Sequence, residues 1–520
     1  MTAAGQTSGC KLTRRSWWAV AAIFLIALAM RIPCRTQMAY HWDSAQFALA
    51  LTDYNPTRSQ PQAPGYFLYI VLGRLVNAFV HDPHASLVWI SVVAGAALAA
   101  TGYLLGTAMF GTGCGWATAV ILATSPLCWF QSEVALTYIV DGELVAATVL
   151  ACWLTVRDRG GWEHVVALSV LMALVAGIRQ QSAPILLPVW LFAFSGMARP
   201  RWPKFVVGAA LTALLCVAWF VPMVQLSGGM SSYWTSLEAK ARFDAPLTAW
   251  HGGFAALWKN VDRLTGVCWA GAFAPATVAT LLQVRWTLAS RYPGRQRFYH
   301  DHRHQLCLLV LWIVPMVAFW LCMYVVTTGY VLSFFPGLAV AAGVVIGHVK
   351  KRTALVPLLA FIGAVNCGAF SSPARWPTRF MLGLPLTAAE LREHDRQLAE
   401  KIALVRREFD PKNVVICHGC EHYYWGFRQY QYHLPEYENL LLYRDASVAG
   451  TAASKFWLSQ SGRTSFVDQI PLRSDQTALL VVPPGESLGM FAPFFDIRRA
   501  HAVDGAAGWL YEISREDLRR

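Results

Sequence analysis

Between Trp17 and Phe370 the chain returns repeatedly to apolar runs close to the roughly 20 residues that a helix needs to cross a bilayer, and that repetition constrains the fold more than any motif does. Runs are read near 17–34, 85–109, 113–130, 138–156, 163–179, 183–197, 204–226, 264–284, 306–326, 329–347 and 353–371, about eleven in all. Only 14% of the residues are charged, against about 25% in soluble domains. The series therefore predicts an α-helical polytopic membrane protein. The first run is not read as a lone cleavable signal, because others follow it and no A-x-A-like site does.

Pro64–Val80 is also apolar, but it is short and interrupted by Arg74 and Asn77, so it reads as a helix lying in the membrane interface. That choice sets the orientation of everything downstream, and the bias of Lys and Arg toward cytoplasmic loops checks it. With Pro64–Val80 left out of the count, the inside stretches hold Lys11, Arg14 and Arg15; Arg157 and Arg159; Arg199, Arg201 and Lys204; Arg285 to Arg303; and Lys350, Lys351 and Arg352. The loop 35–84, the turn 131–138, the loop 227–263 and the tail 372–520 then fall outside. The expected placement is a bacterial inner membrane, with a cytoplasmic N-terminus and an extracytoplasmic C-terminal domain.

The boundary is drawn after residue 371. Residues 1–371 form the membrane domain, which carries the first outer loop 35–84. The tail 372–520 loses the long apolar runs and gains short strand-like ones, Val414–Cys417, Leu440–Tyr443 and Ala478–Val482, with a charged helical stretch at Ala388–Glu408. It reads as a small α/β domain. No internal repeat is visible, which counts against transporters built from repeated halves. The net charge of +13 sits in short clusters between apolar runs, so it reports topology and no nucleic-acid partner is expected. Most of the twelve cysteines, such as Cys152, Cys216 and Cys322, lie singly in apolar runs and behave as small hydrophobes.

The first outer loop reads His41-Trp42-Asp43-Ser44-Ala45-Gln46-Phe47, then Gln60-Pro61-Gln62-Ala63-Pro64-Gly65-Tyr66. Its acid, about two turns past the end of a span, stands where a lipid phosphate ester meets water. A carboxylate there can accept the proton of an attacking hydroxyl, which makes Asp43 the candidate base. The other reading of Asp43 is a helix cap, since Asp is favoured before a helix start and Ser44 to Leu51 follows.

Arg31, Asp43-Ser44 with Phe47 and Ala50, and Pro64-Gly65-Tyr66-Phe67-Leu68-Tyr69 with Gly73-Arg74-Leu75 resemble the first-loop signature of GT-C glycosyltransferases. The nearest branch is that of the TMEM260-type protein O-mannosyltransferases and their bacterial relatives. The likeness covers roughly Arg31 to Phe370 and is most specific in 31–75. It implies a GT-C-like bundle and an inverting transfer of a sugar from a polyprenyl-phosphate donor to a hydroxyl of a protein, glycan or lipid acceptor, with Asp43 as base. Two departures stand out. Gln46 lies near where the family usually has an acid, and Gln62-Ala63-Pro64-Gly65 replaces His-Pro-Pro-Gly.

In the second outer turn, Glu133, Asp141 and Glu143 put three acids within eleven residues at the lip of an uncharged bundle. An acid near the bilayer centre costs about 2.5–3.5 kcal/mol, so these should line a wet cavity or stay in the headgroup zone. Asp141 and Glu143 lie in the first turns of a span, and the resemblance makes Asp141 a second acid that orients the acceptor or a cation. Arg179, followed by Gln180, closes a span on the outer side against the charge bias, and a guanidinium matches phosphate oxygens through paired donors. Arg179 is the expected clamp for the departing polyprenyl phosphate, or else an arginine that snorkels to headgroups. Arg58 and Arg74 are weaker candidates for the same anion. Tyr330, in Thr328-Gly329-Tyr330-Val331-Leu332-Ser333-Phe334-Phe335-Pro336 at the opening of the tenth run, is read as a donor-lipid contact or an interfacial belt residue. The loop 227–263, with Tyr233, Trp234, Lys240, Arg242 and Trp250, is expected to cover the site.

Cys417-His418-Gly419-Cys420-Glu421-His422 crowds four soft ligands into six residues. Adjacent positions cannot easily all reach one ion, and zinc sites ordinarily take a second pair well downstream. A local disulfide or unlinked thiols is the expectation, with no metal and no cofactor. A transporter or flippase for a lipid-linked or anionic solute, and an inactive relative, are the alternative functions. The first generally needs charge at mid-membrane, and the spans show almost none there.

Overall fold

The computed structural model describes residues 14–289, 298–349, 352–372, 386–420, 426–445, 454–459, 464–466, 472–483 and 485–518. Lys11, Lys350, Lys351, the arginines between 290 and 297, Glu421 and His422 lie outside the described residues. The chain forms two compact units, Met1–Arg35 with Ala63–Arg392, and Thr36–Gln62 with Glu393–Arg520. Most of the first outer loop thus groups with the tail, where the sequence division had joined it to the spans. The reason is hydrogen bonding over several hundred residues, described below.

The first unit is helical. Among the described residues, seven helices are long and apolar enough to span a membrane, and the bent pair Thr112–Thr124 with Pro126–Ser132 makes up to eight. They include α1 (Arg14–Arg31), α4 (Pro83–Phe110), α7 (Tyr138–Asp158), α10 (Arg201–Leu226) and α12 (Ala249–Ala289), which is broken at Gly253. α13 (Arg303–Cys322) and α15 (Arg352–Ser371) complete the long set. α8 (Trp162–Ile178), α9 (Ser182–Gly196) and α14 (Phe335–Gly347) are apolar but shorter. The chain is a multi-pass membrane protein. Pro64–Val80 forms α3 (Phe67–Val80), about 21 Å long at 1.5 Å per residue, with Leu72, Leu75 and Phe79 exposed and Tyr69 and Ile70 buried.

Local chemistry sets the helix ends. Asp82 caps α4 by accepting from the Ala85 amide at 2.8 Å, and Pro83 occupies the first helical position, where its missing N–H costs nothing. α4 lies at the centre of the bundle and packs against α1, α3, α7 and α5 (Thr112–Thr124). It crosses α5 where a Cβ on Gly106 would come within 3.0 Å of the Gly115 backbone, and α5 meets α14 where a Cβ on Gly113 would lie 2.7 Å from the Gly347 carbonyl. Small residues at these crossings bring backbones together, the usual source of helix attraction in lipid. The tenth run begins later than expected. Thr328–Ser333 is a 3₁₀ turn, and the helix proper starts at Phe335.

The second unit holds strands β1 (Val414–Cys420), β2 (Glu438–Asp445), β3 (Ser454–Ser459), β4 (Thr464–Phe466), β5 (Thr477–Val481), β6 (His501–Ala502) and β7 (Leu510–Ser514), which the described residues join into one sheet in the order β4-β3-β2-β1-β5-β7-β6. β1 pairs in parallel with both β2 and β5, and both faces of this centre are covered, as buried parallel strands require. Val415 and Cys417 pack with Phe491 and Phe495 on one face, and Val414 and Ile416 pack with Val405 of α16 (Ala388–Glu408) on the other. α2 (Trp42–Thr52) lies against α17 (Phe427–His433) within this unit.

Candidate functional site

Arg179 terminates α8, its backbone N–H still bonding to the Val175 carbonyl at 2.9 Å. The side chain is 3% exposed, so it does not snorkel to the surface. Its Nη1 donates to Thr137 Oγ1 at 3.2 Å, and the Gln181 carboxamide oxygen, turned toward the guanidinium, accepts from Nε at 3.2 Å and Nη2 at 2.6 Å. With that amide so turned, three of the five guanidinium N–H groups are used among the described residues, which leaves two for an anion. Asp141 Oδ2 stands 3.8 Å from Nε. It accepts from Ser182 Oγ at 2.9 Å, while Asp141 Oδ1 makes no hydrogen bond among the described residues.

Aromatic rings close the cluster. Arg179 lies 4.5 Å from the ring centre of Tyr138 and 5.5 Å from that of Tyr330, and the two rings meet edge to face at 5.4 Å. Trp320 stacks on Tyr330 at 4.3 Å. Rings over a guanidinium stabilise it by about 0.5–2 kcal/mol and keep water out. Two glycines permit the approach: a Cβ on Gly329 would lie 2.2 Å from the Tyr138 ring, and one on Gly142 would lie 3.0 Å from the Leu332 carbonyl. Tyr324 extends the cluster by donating to Asp244 Oδ2 at 2.7 Å, and Lys240 pairs with the same carboxylate. Gln180 turns away and donates to the Pro64 carbonyl at 3.2 Å, which also accepts from Tyr233 at 3.3 Å.

No protein-family model matches the chain, and no curated protein matches it. Among solved structures it is similar to ArnT from Cupriavidus metallidurans bound to undecaprenyl phosphate, with a TM-score of 0.60 at 13% identity over 96% of this chain and 98% of that one. It is likewise similar to apo ArnT from that organism, with a TM-score of 0.56 at 13% identity and the same coverage. The fold resembles that of ArnT. A polytopic helical bundle followed by a small C-terminal sheet domain, expected from the sequence, is the architecture observed.

The remaining candidates separate. Asp141 and Glu143 are two positions apart and so differ by about 200° around a helix. Glu143 accepts from Thr101 of α4 at 2.7 Å, away from the arginine that Asp141 faces. Glu133 is fully buried beside Arg31, which donates to Ser132 Oγ at 3.1 Å and the Ala27 carbonyl at 3.0 Å. Of the three acids, Asp141 alone joins Arg179 among the described interactions. Arg74 is exposed on α3. Trp234 and Trp250 are exposed on the 227–263 segment, whereas Tyr233 is buried. Tyr138 and Gln181 were missed by the sequence reading, although both adjoin residues it selected.

Asp43 belongs to the second unit. It is 6% exposed and sits in the first turn of α2, but it is not the cap. His41 is, through Nδ1, which accepts from the Asp43 amide at 3.2 Å. Burial lowers the His41 pKa against the opposing pull of Asp43, which keeps that nitrogen an acceptor. Gln46, one turn on, is 1% exposed, and neither amide atom is paired among the described residues. Arg58, half exposed, faces Asp53 at 3.5 Å. Cys417 is an unlinked, buried thiol. Cys417 and His418 alternate along β1 and face opposite sides of the sheet, so they do not share an ion. No group of three metal-binding side chains occurs among the described residues.

Proposed function

We propose that the protein is a membrane glycosyltransferase that moves a sugar from a polyprenyl-phosphate donor to a hydroxyl acceptor outside the cytoplasm, with inversion at the anomeric carbon. The observation that carries the reading is Arg179. It is a buried guanidinium at a helix end, caged by two tyrosines, with two N–H groups in reserve. A fork of donors of this kind suits a phosphate monoester leaving group. The ArnT structure whose fold this chain resembles holds undecaprenyl phosphate, which supports the same class of lipid here.

In this reading the acceptor hydroxyl attacks the anomeric carbon, Asp43 takes its proton, and the polyprenyl phosphate departs toward Arg179. Asp141 keeps the guanidinium in place from 3.8 Å without consuming its hydrogen bonds. Tyr330 contacts the donor lipid. Gln180, Glu133, Glu143 and Arg74, expected from the sequence to touch substrate, are given no part in the chemistry: Gln180 bonds the Pro64 carbonyl, Glu133 lies beside Arg31, Glu143 bonds Thr101 and Arg74 is exposed. The first-loop likeness favours the TMEM260-type branch, and the acceptor is a protein, glycan or lipid hydroxyl. An inactive relative is the second reading, because Gln46 buries an amide that is unpaired among the described residues, where the resemblance expects a second acid.

The test incubates the purified protein with radiolabelled polyprenyl-phosphate sugars and an extract of envelope acceptors, beside Asp43→Asn. A positioned base contributes about 10²–10⁴-fold, so the variant should lose transfer by that order. Transfer that survives the substitution removes Asp43 from the role. No transfer by the unaltered protein with any donor would sink the reading in favour of a transporter or a silent relative.

A further inference from the structure

The loop that carries Asp43 is held by side chains of the tail domain. Asp395 of α16 receives two successive backbone amides, Gln37 N–H at 2.6 Å on Oδ2 and Met38 N–H at 3.1 Å on Oδ1. The next amide, Ala39 N–H, donates to His433 Nε2 at 3.2 Å. Tyr40 then packs on the His394 ring at 4.7 Å, and His41 caps α2. Beyond α2, Arg428 donates through Nη2 to the Arg58 carbonyl at 2.7 Å, with its Nη1 fixed on Gln431 Oε1 at 2.6 Å. Arg428 and His433 lie near the two ends of α17, the helix against which α2 packs. A single short helix therefore grips the chain before and after the Asp43 helix, and Asp395 fixes the approach to it.

A carboxylate that accepts two backbone amides replaces the water those amides would otherwise bind, and charge-assisted bonds of this kind are roughly twice as strong as neutral ones. Three consecutive amides held by side chains leave the segment 37–39, an irregular stretch of bends ahead of α2, little freedom. Fixing the backbone four residues ahead of Asp43 fixes where the carboxylate stands, and an error of about 1 Å in such a group costs on the order of 10²-fold in rate.

We infer that Asp395 and His433 are positioning residues, through which the tail domain holds the Asp43 loop in its working conformation. The inference rests on the transferase reading for its catalytic consequence but not for the clamp itself, so the experiment has two arms. Asp395→Ala, Asp395→Asn and His433→Ala are made in the whole chain, with Arg473→Ala as control. Arg473 bonds Asp475 and the Lys412 carbonyl at the start of β1, so its loss perturbs the domain without touching the loop.

In the first arm, hydrogen exchange is followed at Gln37, Met38, Ala39 and along α2. Exchange should quicken at least about 10-fold in Asp395→Ala as the local opening energy falls, less in Asp395→Asn, which keeps one acceptor oxygen, and not in the control. In the second arm, kcat of transfer should fall about 10- to 100-fold in Asp395→Ala with donor and acceptor KM nearly unchanged, and partly recover in Asp395→Asn. A general loss of folding would instead lower active protein in the control as well. Unchanged exchange in Asp395→Ala and His433→Ala overturns the clamp. Faster exchange with undiminished kcat overturns the positioning role. If the unaltered protein transfers nothing, the transferase reading fails, and the exchange arm alone decides whether these side chains hold the loop.

Discussion

Arg179 and Asp141 approach to 3.8 Å with side chains 3% and 5% exposed, an ion-pair contact that stops short of a hydrogen bond. Asp141 spends its bonded oxygen on Ser182, and Arg179 spends its donors on Thr137 and Gln181. The two charges therefore compensate each other while leaving guanidinium N–H groups available.

Arg179→Lys should separate recognition from folding. Lysine keeps the charge beside Asp141 but loses the planar fork. Loss of one charge-assisted bond, about 1.5–3 kcal/mol, should raise donor KM roughly 10- to 100-fold with little change in thermal stability. Arg179→Ala, by contrast, strands a buried carboxylate and should destabilise the protein by about 3–5 kcal/mol. Steady-state kinetics and thermal unfolding in detergent measure both.

Gly95→Ala should disturb the contact of α1 with α4. A Cβ there would fall 1.9 Å from Ser132 Oγ and 2.8 Å from Arg31 Nε, so the Arg31–Ser132 bond must move. Overpacking of this kind costs about 1–3 kcal/mol, which should appear as a lower unfolding temperature. An unchanged transition would mean that the arginine repacks freely.

His418 should give the tail domain an acid limit. It is buried in β1 with Nε2 on Asn439 Oδ1 at 3.3 Å, and burial pushes its pKa down to about 4 from 6.5. The unfolded chain then binds more protons between those values, so stability is complete above about pH 6.5 and declines toward pH 4, by at most about 1.4 kcal/mol per pH unit. In His418→Gln the unfolding transition should lose this part of its pH dependence. A slope equal to that of the unaltered protein would show that other groups control the acid limb.

The charge bias predicts that the loop near residue 80 is extracytoplasmic and the loop near residue 160 cytoplasmic. Tags placed at each should be accessible from opposite sides of sealed vesicles. Finding residue 80 on the cytoplasmic side would reverse the assigned orientation.

Much of the membrane unit could be read in the chain because a span advertises itself by length and apolarity alone. Arg179 was legible for a related reason: it is a cation at a position where the charge bias expects few. Asp141 was singled out, but Glu143 was grouped with it although helical geometry turns the two apart, and the contact with Thr101 follows that geometry. The cap at His41 was missed because Asp ranks far above His in capping statistics. The association of 36–62 with the tail left no local signal, since amides 37–39 carry no side-chain signature and their partners lie in distant sequence. Tyr138 was hidden by being one aromatic among many.

The bond between the Gln37 amide and Asp395 joins residues 358 apart. At about 5–20 residues per second of synthesis, the first loop leaves the ribosome roughly 20–70 s before the residues that grip it. A product released just before residue 395 would contain Asp43 and the spans found among the described residues, yet its loop would lack the side chains that hold it. Until synthesis passes His433, the backbone ahead of α2 lacks the side chains that hold it, so the order of synthesis separates the loop from its grip.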